Sequence, residues 1–418
     1  MTPEKLFHEL LGLGLNWEVI DSRFDQEKGT VILEIKETES LWDSQRCPQD
    51  GGSVFCYDHT EQLVWRHLNV FQHHCEIRCL LPRGKCRQCG HIYRVRPPWE
   101  GLSMHFTKEF EAYALLLIRE MPMARVAELT GESDTRLWRM LFKHVDGAYA
   151  EADFSNVCCV GVDEMGVRKG QQYLSVFADL LAKRVLFATE GKDKATWIAF
   201  VAALEKHNGH RHCITQVSMD MSLAYENGVK ENCRNAQVVF DKFHVIANTS
   251  KAVDKVRHAE LRSGSKGVWE SLHKSQWLWR KNPQNLNAEE QERLGKIKEK
   301  NLCTGKAYQM RLVLQDIYQS ASATVAQQRF KVWCRWVRWV ARFYKPYLFA
   351  SMIKIAEMIE SHLRGILAHW KWGLTNAFME GLNSVFSAVK RKARGFRSSV
   401  YLITMLYLVA GKLRLPHC

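Results

Sequence analysis

Three acidic residues, Asp163, Asp220 and Glu380, are the side chains of this sequence best placed to do chemistry together. Asp163 follows the apolar run 157–162, and Asp220 follows the apolar run 214–219. An acid at the C-terminal end of a strand faces the crevice where open α/β sheets hold their ligands. Taken alone, each is as readily the cap of the element that follows. Glu380 is the one carboxylate in a helix-like stretch of small and apolar residues over 375–397, and Lys390, Arg391, Lys392, Arg394 and Arg397 come after it. Helical spacing puts Asn376, Glu380 and Ser387 near one face, with Asn383 beside them. Three converging carboxylates could hold two divalent ions roughly 4 Å apart, the clamp used for phosphoryl transfer. Hard oxygen donors suit Mg²⁺ or Mn²⁺. Without metal such acids repel one another and carry raised pKa values.

The elements that must position them change period along the chain. Residues 1–40 read as a short helix and a strand over 30–35, and residues 41–100 are rich in Cys, His, Gly and Pro. From 106 to 144 the pattern is helical. A short amphipathic helix over 123–131 ends at Gly131, and Ser133 or Asp134 can cap a second one. Strand-like runs then occupy 157–162, 173–178 and 184–188. Helix 194–206, strand 214–219, helix 223–232 and strand 237–240 follow, the order of a mixed α/β sheet. Residues 245–345 and 350–412 return to helix, so about a hundred helical residues lie between the sheet and Glu380.

Four blocks carry a family resemblance: Gly161-Val162-Asp163-Glu164; 218–225 around Asp220; Phe240-Asp241-Lys242-Phe243-His244; and 375–383 around Glu380, continued by Lys392-Ala393-Arg394-Gly395-Phe396-Arg397. Together they resemble the DDE transposases of bacterial insertion sequences, most closely the IS-L-three group, over residues 40–412. The resemblance implies a ribonuclease-H-like core interrupted by a helical insertion, with Asp163, Asp220 and Glu380 as the metal-binding triad. It also implies a zinc-ribbon-like module over 1–100 and a helix-turn-helix domain over 101–150. The core would then occupy 151–244 and 346–418, with the insertion at 245–345. Asp241 is a rival ligand ranked behind Asp220, because Lys242 and His244 could pair with it. His244 reads first as a hydrogen-bonded structural histidine.

Cys86-Arg87-Gln88-Cys89-Gly90 is half of a zinc knuckle. The other half, Cys47-Pro48-Gln49-Asp50-Gly51, has an acid where the second thiolate is expected. Cys56 could complete the Cys47, Cys86, Cys89 set, or Asp50 could coordinate through oxygen, or the site has lost zinc. His73, His74, Cys75 and Cys79 read more simply as residues on alternating strand faces. Arg78, Arg83, Lys85, Arg87 and Arg94 make the module basic.

The second helix of the helix-turn-helix would present Thr135, Arg136 and Arg139 to a DNA groove. Over 332–343, Trp333, Trp336, Val337 and Val340 share one helical face and Arg335, Arg338 and Arg342 another. That pattern suits core packing with a solvated cationic face, and a base-stacking tryptophan is the sharper alternative. A net charge of +14 favours an anionic partner. The C-terminal apolar run 400–410 is too short to span a bilayer, and the first thirty residues show no signal-peptide pattern. Thirteen scattered cysteines suit a reducing cytosol. The expected protein is thus a cytoplasmic, nucleoid-associated transposase that binds terminal inverted repeats and target DNA, cleaves and joins strands with two ions, and works as a homodimer or higher oligomer. Its competitors are a metal-dependent nuclease that does not join and a DNA-binding regulator with an inactive core.

Overall fold

The computed structural model describes residues 1–103, 105–168, 172–372, 377–393 and 395–416. Its contacts form two compact units, Met1–Ala152 with Phe386–Cys418, and Asp153–Val385.

The first unit is built on a five-stranded sheet. Its order is β1 (Trp17–Asp25), β2 (Thr30–Glu37), β4 (His73–Cys86), β3 (Val54–Val70), with β5 (Ile92–Arg94) also on β4. Strand β2 runs parallel to β4, while β3 and β4 form a long antiparallel hairpin. Trp17, Trp65 and Trp99 meet edge to face, at 5.0 and 5.9 Å between rings, in a core with Leu13, Ile35, Ile77 and Leu81. Such large rings supply most of the apolar area that a small sheet can bury. Cys79 belongs to this core and Cys75 is buried as well, and burial pushes both thiols up to about 12.

Three helices follow: Lys108–Glu120, Met123–Thr130 and Asp134–Ala150. Gly131 ends the middle one in the left-handed conformation (φ 68°), where a Cβ would be strained. The Ser133 hydroxyl then accepts from the Arg136 N–H and caps the third helix. Buried Glu111 ties the group together. Its carboxylate accepts from the N–H groups of Leu102 (2.8 Å) and Ser103 (2.7 Å) and lies 2.9 Å from the His144 ring.

The second unit contains a mixed five-stranded sheet in the order β10 (Gln237–Phe240), β9 (Gln216–Met219), β6 (Cys159–Arg168), β7 (Gln172–Asp179), β8 (Arg184–Glu190). The strands β6, β7 and β8 are antiparallel neighbours, whereas β9 and β10 run parallel to β6. Helices Lys194–Lys206 and Leu223–Asn232 supply the crossovers. Phe177 of β7 stacks on Phe200 at 4.3 Å, with Trp197 alongside. One expectation needs correction. Asp163 does not end its strand, because β6 continues past the apolar run and pairs Asp163 with Val176 of β7.

From Lys242–Ser263 to Ala350–Ser361 the second unit is helical. Buried Glu260 accepts from the N–H groups of Cys303 and Thr304 and from the Thr304 hydroxyl, capping the Cys303–Ile317 helix from a distant element. In the Ala323–Phe343 helix, Trp333, Val337 and Val340 are buried, and the Trp333 indole donates to the Met310 carbonyl. Trp336 is half-buried. The tryptophan that stays outside is Trp339, which packs on exposed Phe343. Helix Leu363–Trp372 lies close on β10, since a Cβ on Gly365 would fall 2.5 Å from the Phe240 ring. Among the described residues, no helix is long and apolar enough to cross a membrane.

Candidate active site

Strand register explains how two distant aspartates meet. In the parallel pairing of β6 with β9, Gly161 lies opposite Ser218. In that of β9 with β10, Met219 lies opposite Phe240. Continued at the same offset, the registers bring Asp163, Asp220 and Asp241 to one level on three adjacent strands. Asp220 and Asp241 each stand one residue beyond the end of their strand, at the level that Asp163 holds within β6.

The Glu380 helix is brought there by a small residue. A Cβ built on Gly161 would stand 3.1 Å from Met379 Cγ and 2.6 Å from a Leu180 methyl. The bare glycine of β6 therefore lets the Ala377–Lys392 helix settle against it, with Met379 buried. One turn on, Asn383 donates from Nδ2 to Asp163 Oδ2 at 2.6 Å. The backbone N–H of Glu164 donates to the other oxygen at 2.8 Å.

One imidazole stands between two of the aspartates. His244 Nδ1 lies 3.2 Å from Asp220, and its Nε2 lies 3.9 Å from Asp241. The hydrogen bond to Asp220 is the main reason that the His244 pKa is raised to about 9, so the ring is cationic at neutral pH. Burial pushes the Asp163 carboxyl above its usual range, against the Asn383 bond, and the charge of Asp220 adds to it. Glu380 is also raised, by burial and then by the charge of Asp241. Asp220 departs from the mutual-repulsion expectation. Burial pushes it up as well, but the bond to His244 and its charge outweigh burial, and its pKa is lowered.

Asp241 has a further task that the sequence did not reveal. Its side chain accepts from the Phe243 N–H and caps the Lys242–Ser263 helix. Two other neighbours belong to the site, Glu164 without a role foreseen for it and Asn383 expected only to lie beside Glu380. Glu164 is raised by burial and shares the field of Asp163 and Asp220, and Asn383 is the direct hydrogen-bond partner of Asp163. The signal for Asn383 was its three-residue spacing from Glu380 on one helix face. Asn376 and Arg394 lie outside the described residues.

Two groups in the first unit have ligand-type atoms all within 4.8 Å of one another: Cys47, Asp50, Cys86 and Cys89, and separately Glu37, Cys56 and His59. Cys56 therefore does not join Cys47, Cys86 and Cys89. The residue opposite Cys86 on β3 is Val54, which packs against Cys47 and Cys86, whereas Cys56 lies further along, opposite Gly84. Asp50 takes the fourth place. The two turns around it match: Gln49 N–H points at Cys47 Sγ (3.5 Å), Gln88 N–H points at Cys86 Sγ (3.3 Å), and Gly51 and Gly90 both have positive φ. Cys47 and Cys89 sulfurs are 3.6 Å apart, and Cys86 Sγ lies 3.4 Å from Asp50. Hydrogen bonds from Cys89, the Gly52 N–H and Cys47 hold the Asp50 carboxyl far below its usual range.

Of the groove-facing candidates, Thr135 and Arg139 are exposed. Arg136 is half-buried, paired with Glu132 at 2.5 Å and 4.6 Å over the Phe106 ring. In the C-terminal basic run, Lys392 Nζ donates to the Glu120 carbonyl and Arg397 pairs with Asp134 at 2.9 Å. Lys390 and Arg391 end the Ala377–Lys392 helix beside them.

Comparison with known proteins gives the same reading. A family model described as a transposase, of the ISL3 DDE type, matches residues 160–406, which hold all three acids. A second, for the helix-turn-helix domain of transposase family ISL3, matches residues 105–145. The chain is 26% identical to the transposase for insertion sequence element IS1001 of Bordetella parapertussis, over 89% of each chain. It is also 26% identical to the transposase for insertion sequence element IS1557 of Mycobacterium tuberculosis, over all of this chain and 98% of that one. Since the catalytic-domain model covers more than half of its length, the chain belongs to the ISL3 family of insertion-sequence transposases, enzymes that bind and rearrange DNA.

Proposed function

We propose that Asp163, Asp220 and Glu380 are the catalytic carboxylates of this transposase, held on a ribonuclease-H-like core. The observation that carries the reading is the register of β6 against β9, which continued by two residues sets Asp220 level with Asp163, with Asn383 of the Glu380 helix bonded to Asp163. Three antiparallel strands continued by two parallel ones, then a helical segment before the Glu helix, support the core assignment. Family membership implies a divalent metal. The donors fit Mg²⁺ or Mn²⁺, being hard oxygens in a partly buried acidic field that here draws in the His244 cation. Two such ions would supply Lewis-acid activation of the attacking hydroxyl and stabilisation of the leaving oxygen.

This chain's own residues do the rest. Asp163 would be the acid common to both ions, and Asn383 with the Glu164 N–H fixes its orientation. Asp220 would pair with Asp163 at one position, and Glu380 with Asp163 at the other. His244 holds Asp220 in place, and Asp241 starts the helix that carries His244. The reaction is in-line displacement, first by water at the end of the element and then by the freed 3′-hydroxyl on target DNA.

In the first unit, Cys47, Asp50, Cys86 and Cys89 would hold a structural zinc ion. Zn–S bonds of about 2.3 Å in a tetrahedron put neighbouring sulfurs about 3.8 Å apart, close to the Cys47–Cys89 separation. This module (1–100) and the helix-turn-helix (101–150) would read the terminal inverted repeats. Thr135 and Arg139 would face the groove, with Arg136 positioning the helix. Lys390, Arg391, Lys392, Arg394 and Arg397 would meet phosphates. The core would occupy 151–244 and 346–418 around an insertion at 245–345, and cutting two ends together calls for a homodimer or larger assembly in the bacterial cytoplasm.

A plasmid-integration assay with pre-cleaved element ends tests the joining step. Joined product that requires Mg²⁺ or Mn²⁺ supports the proposal. Cleavage with no joining at any metal concentration would leave a nuclease instead.

A further inference from the structure

We propose that Glu37, Cys56 and His59 form a second metal site in the first unit, suited to a zinc-class divalent ion and separate from the Cys47 group. Glu37 is the last residue of β2, and Cys56 and His59 lie on β3. Residues three apart on a regular strand point to opposite faces. The register of β3 against β4 breaks this rule: Cys56 is opposite Gly84, Asp58 opposite Arg83, and His59 opposite Pro82. One extra residue, Tyr57, is thus inserted. Because Gly84 and Pro82 share a face of β4, Cys56 and His59 share a face of β3. A bulge that re-aims a side chain is a recurrent device beside functional sites.

The third donor is built into the interior. The Glu37 side chain is only 8% exposed, and its Oε1 lies 2.6 Å from His59 Nε2. Its other oxygen, Oε2, is buried and has no hydrogen-bond partner. A buried carboxylate oxygen without a partner is costly, and a cation is what would satisfy it. Thiolate sulfur, imidazole nitrogen and carboxylate oxygen are the donor types of zinc sites, and all three ligand atoms lie within 4.8 Å of one another. His59 is 38% exposed, so one coordination position opens to water. On binding, the Cys56 thiol releases its proton to solvent and bonds the ion as thiolate; no electron is transferred.

The site also has a mechanical rationale. In the sheet, β2 and β3 are not neighbours, because β4 lies between them. An ion held by Glu37, Cys56 and His59 would cross-link the two across β4, at the end of the hairpin nearer the cysteine knuckles.

The test uses the full-length chain, saturated with Zn²⁺ in excess Mg²⁺ to keep zinc off the carboxylate site, then freed of unbound metal and assayed for bound zinc. Cys56→Ser and His59→Ala are each expected to hold one equivalent fewer than wild type, whereas Cys89→Ser loses a different equivalent. Added zinc should also raise the melting temperature of metal-free wild type more than that of metal-free His59→Ala, a comparison that exposes any general folding defect. Equal zinc content in wild type, Cys56→Ser and His59→Ala, or a wild type that binds none, overturns the proposal and leaves Glu37–His59 as an ion pair beside a cysteine.

Discussion

Gly161 of β6 and Met379 of the Ala377–Lys392 helix pack so closely that a Cβ on the glycine would stand 3.1 Å from Met379 Cγ. This contact places Glu380 near Asp163 without involving either carboxylate. Gly161→Val should therefore disturb the active site by pushing the helix away. Overpacking of this kind costs about 1–3 kcal/mol. The expected result is a lower melting temperature and DNA cleavage reduced at least tenfold, with inverted-repeat binding retained. Gel-shift and cleavage assays on one preparation check it.

The knuckle pair predicts a gain of function in metal binding. Asp50→Cys restores a four-thiolate set in the matched turn and should tighten zinc binding. Cys89→Ser should weaken it and lower the thermal stability of the first unit. Titration of metal-free protein with zinc in competition with a chelator measures both, and the opposite order would argue against Asp50 as a ligand.

The helix-turn-helix separates contact from scaffold. Arg139→Ala, at an exposed position, should weaken binding to the inverted repeat and reduce the slope of log affinity against log salt by about 1 if it meets a phosphate. Arg136→Ala removes the bridge between Glu132 and Phe106, so its first effect should be on stability. Salt-dependent binding and thermal melts of the two variants distinguish these outcomes.

Glu260 is a buried acceptor for three donors at the start of the Cys303–Ile317 helix. Glu260→Ala leaves those donors unsatisfied and should cost about 2–3 kcal/mol. Denaturant unfolding should show this as a lower midpoint. An unchanged midpoint would mean that water replaces the carboxylate.

Legibility in the sequence followed the local signals. Helices Lys194–Lys206 and Leu223–Asn232 and strand β10 stand at the expected residues, because apolar periodicity and turn residues mark their ends. Of the long β3–β4 hairpin only the strand alternation of His73, His74, Cys75 and Cys79 showed, since Cys, His and Arg residues interrupt the apolar pattern over the rest. The position of Asp163 inside β6 was hidden for a similar reason: the strand continues through Glu164 as half of a hairpin, beyond the apolar run. Asn383 had the right helical spacing, but only docking of the helix on Gly161 determines which acid it meets. The closeness of Cys56 to the knuckle in sequence was misleading, because a one-residue bulge and strand register set its partners. Of the tryptophans over 332–343, Trp339 is exposed, and the helical stripe alone did not single it out.

The most direct test of the account is metal-dependent cleavage of a DNA fragment bearing the terminal inverted repeat, by wild type and by Asp163→Asn, Asp220→Asn and Glu380→Gln. The three side chains are predicted to act as one site. Wild type should cut only with Mg²⁺ or Mn²⁺, and each variant should lose cleavage by at least a thousandfold while binding the repeat normally. A Glu380→Gln protein that cuts at the wild-type rate would contradict the shared site.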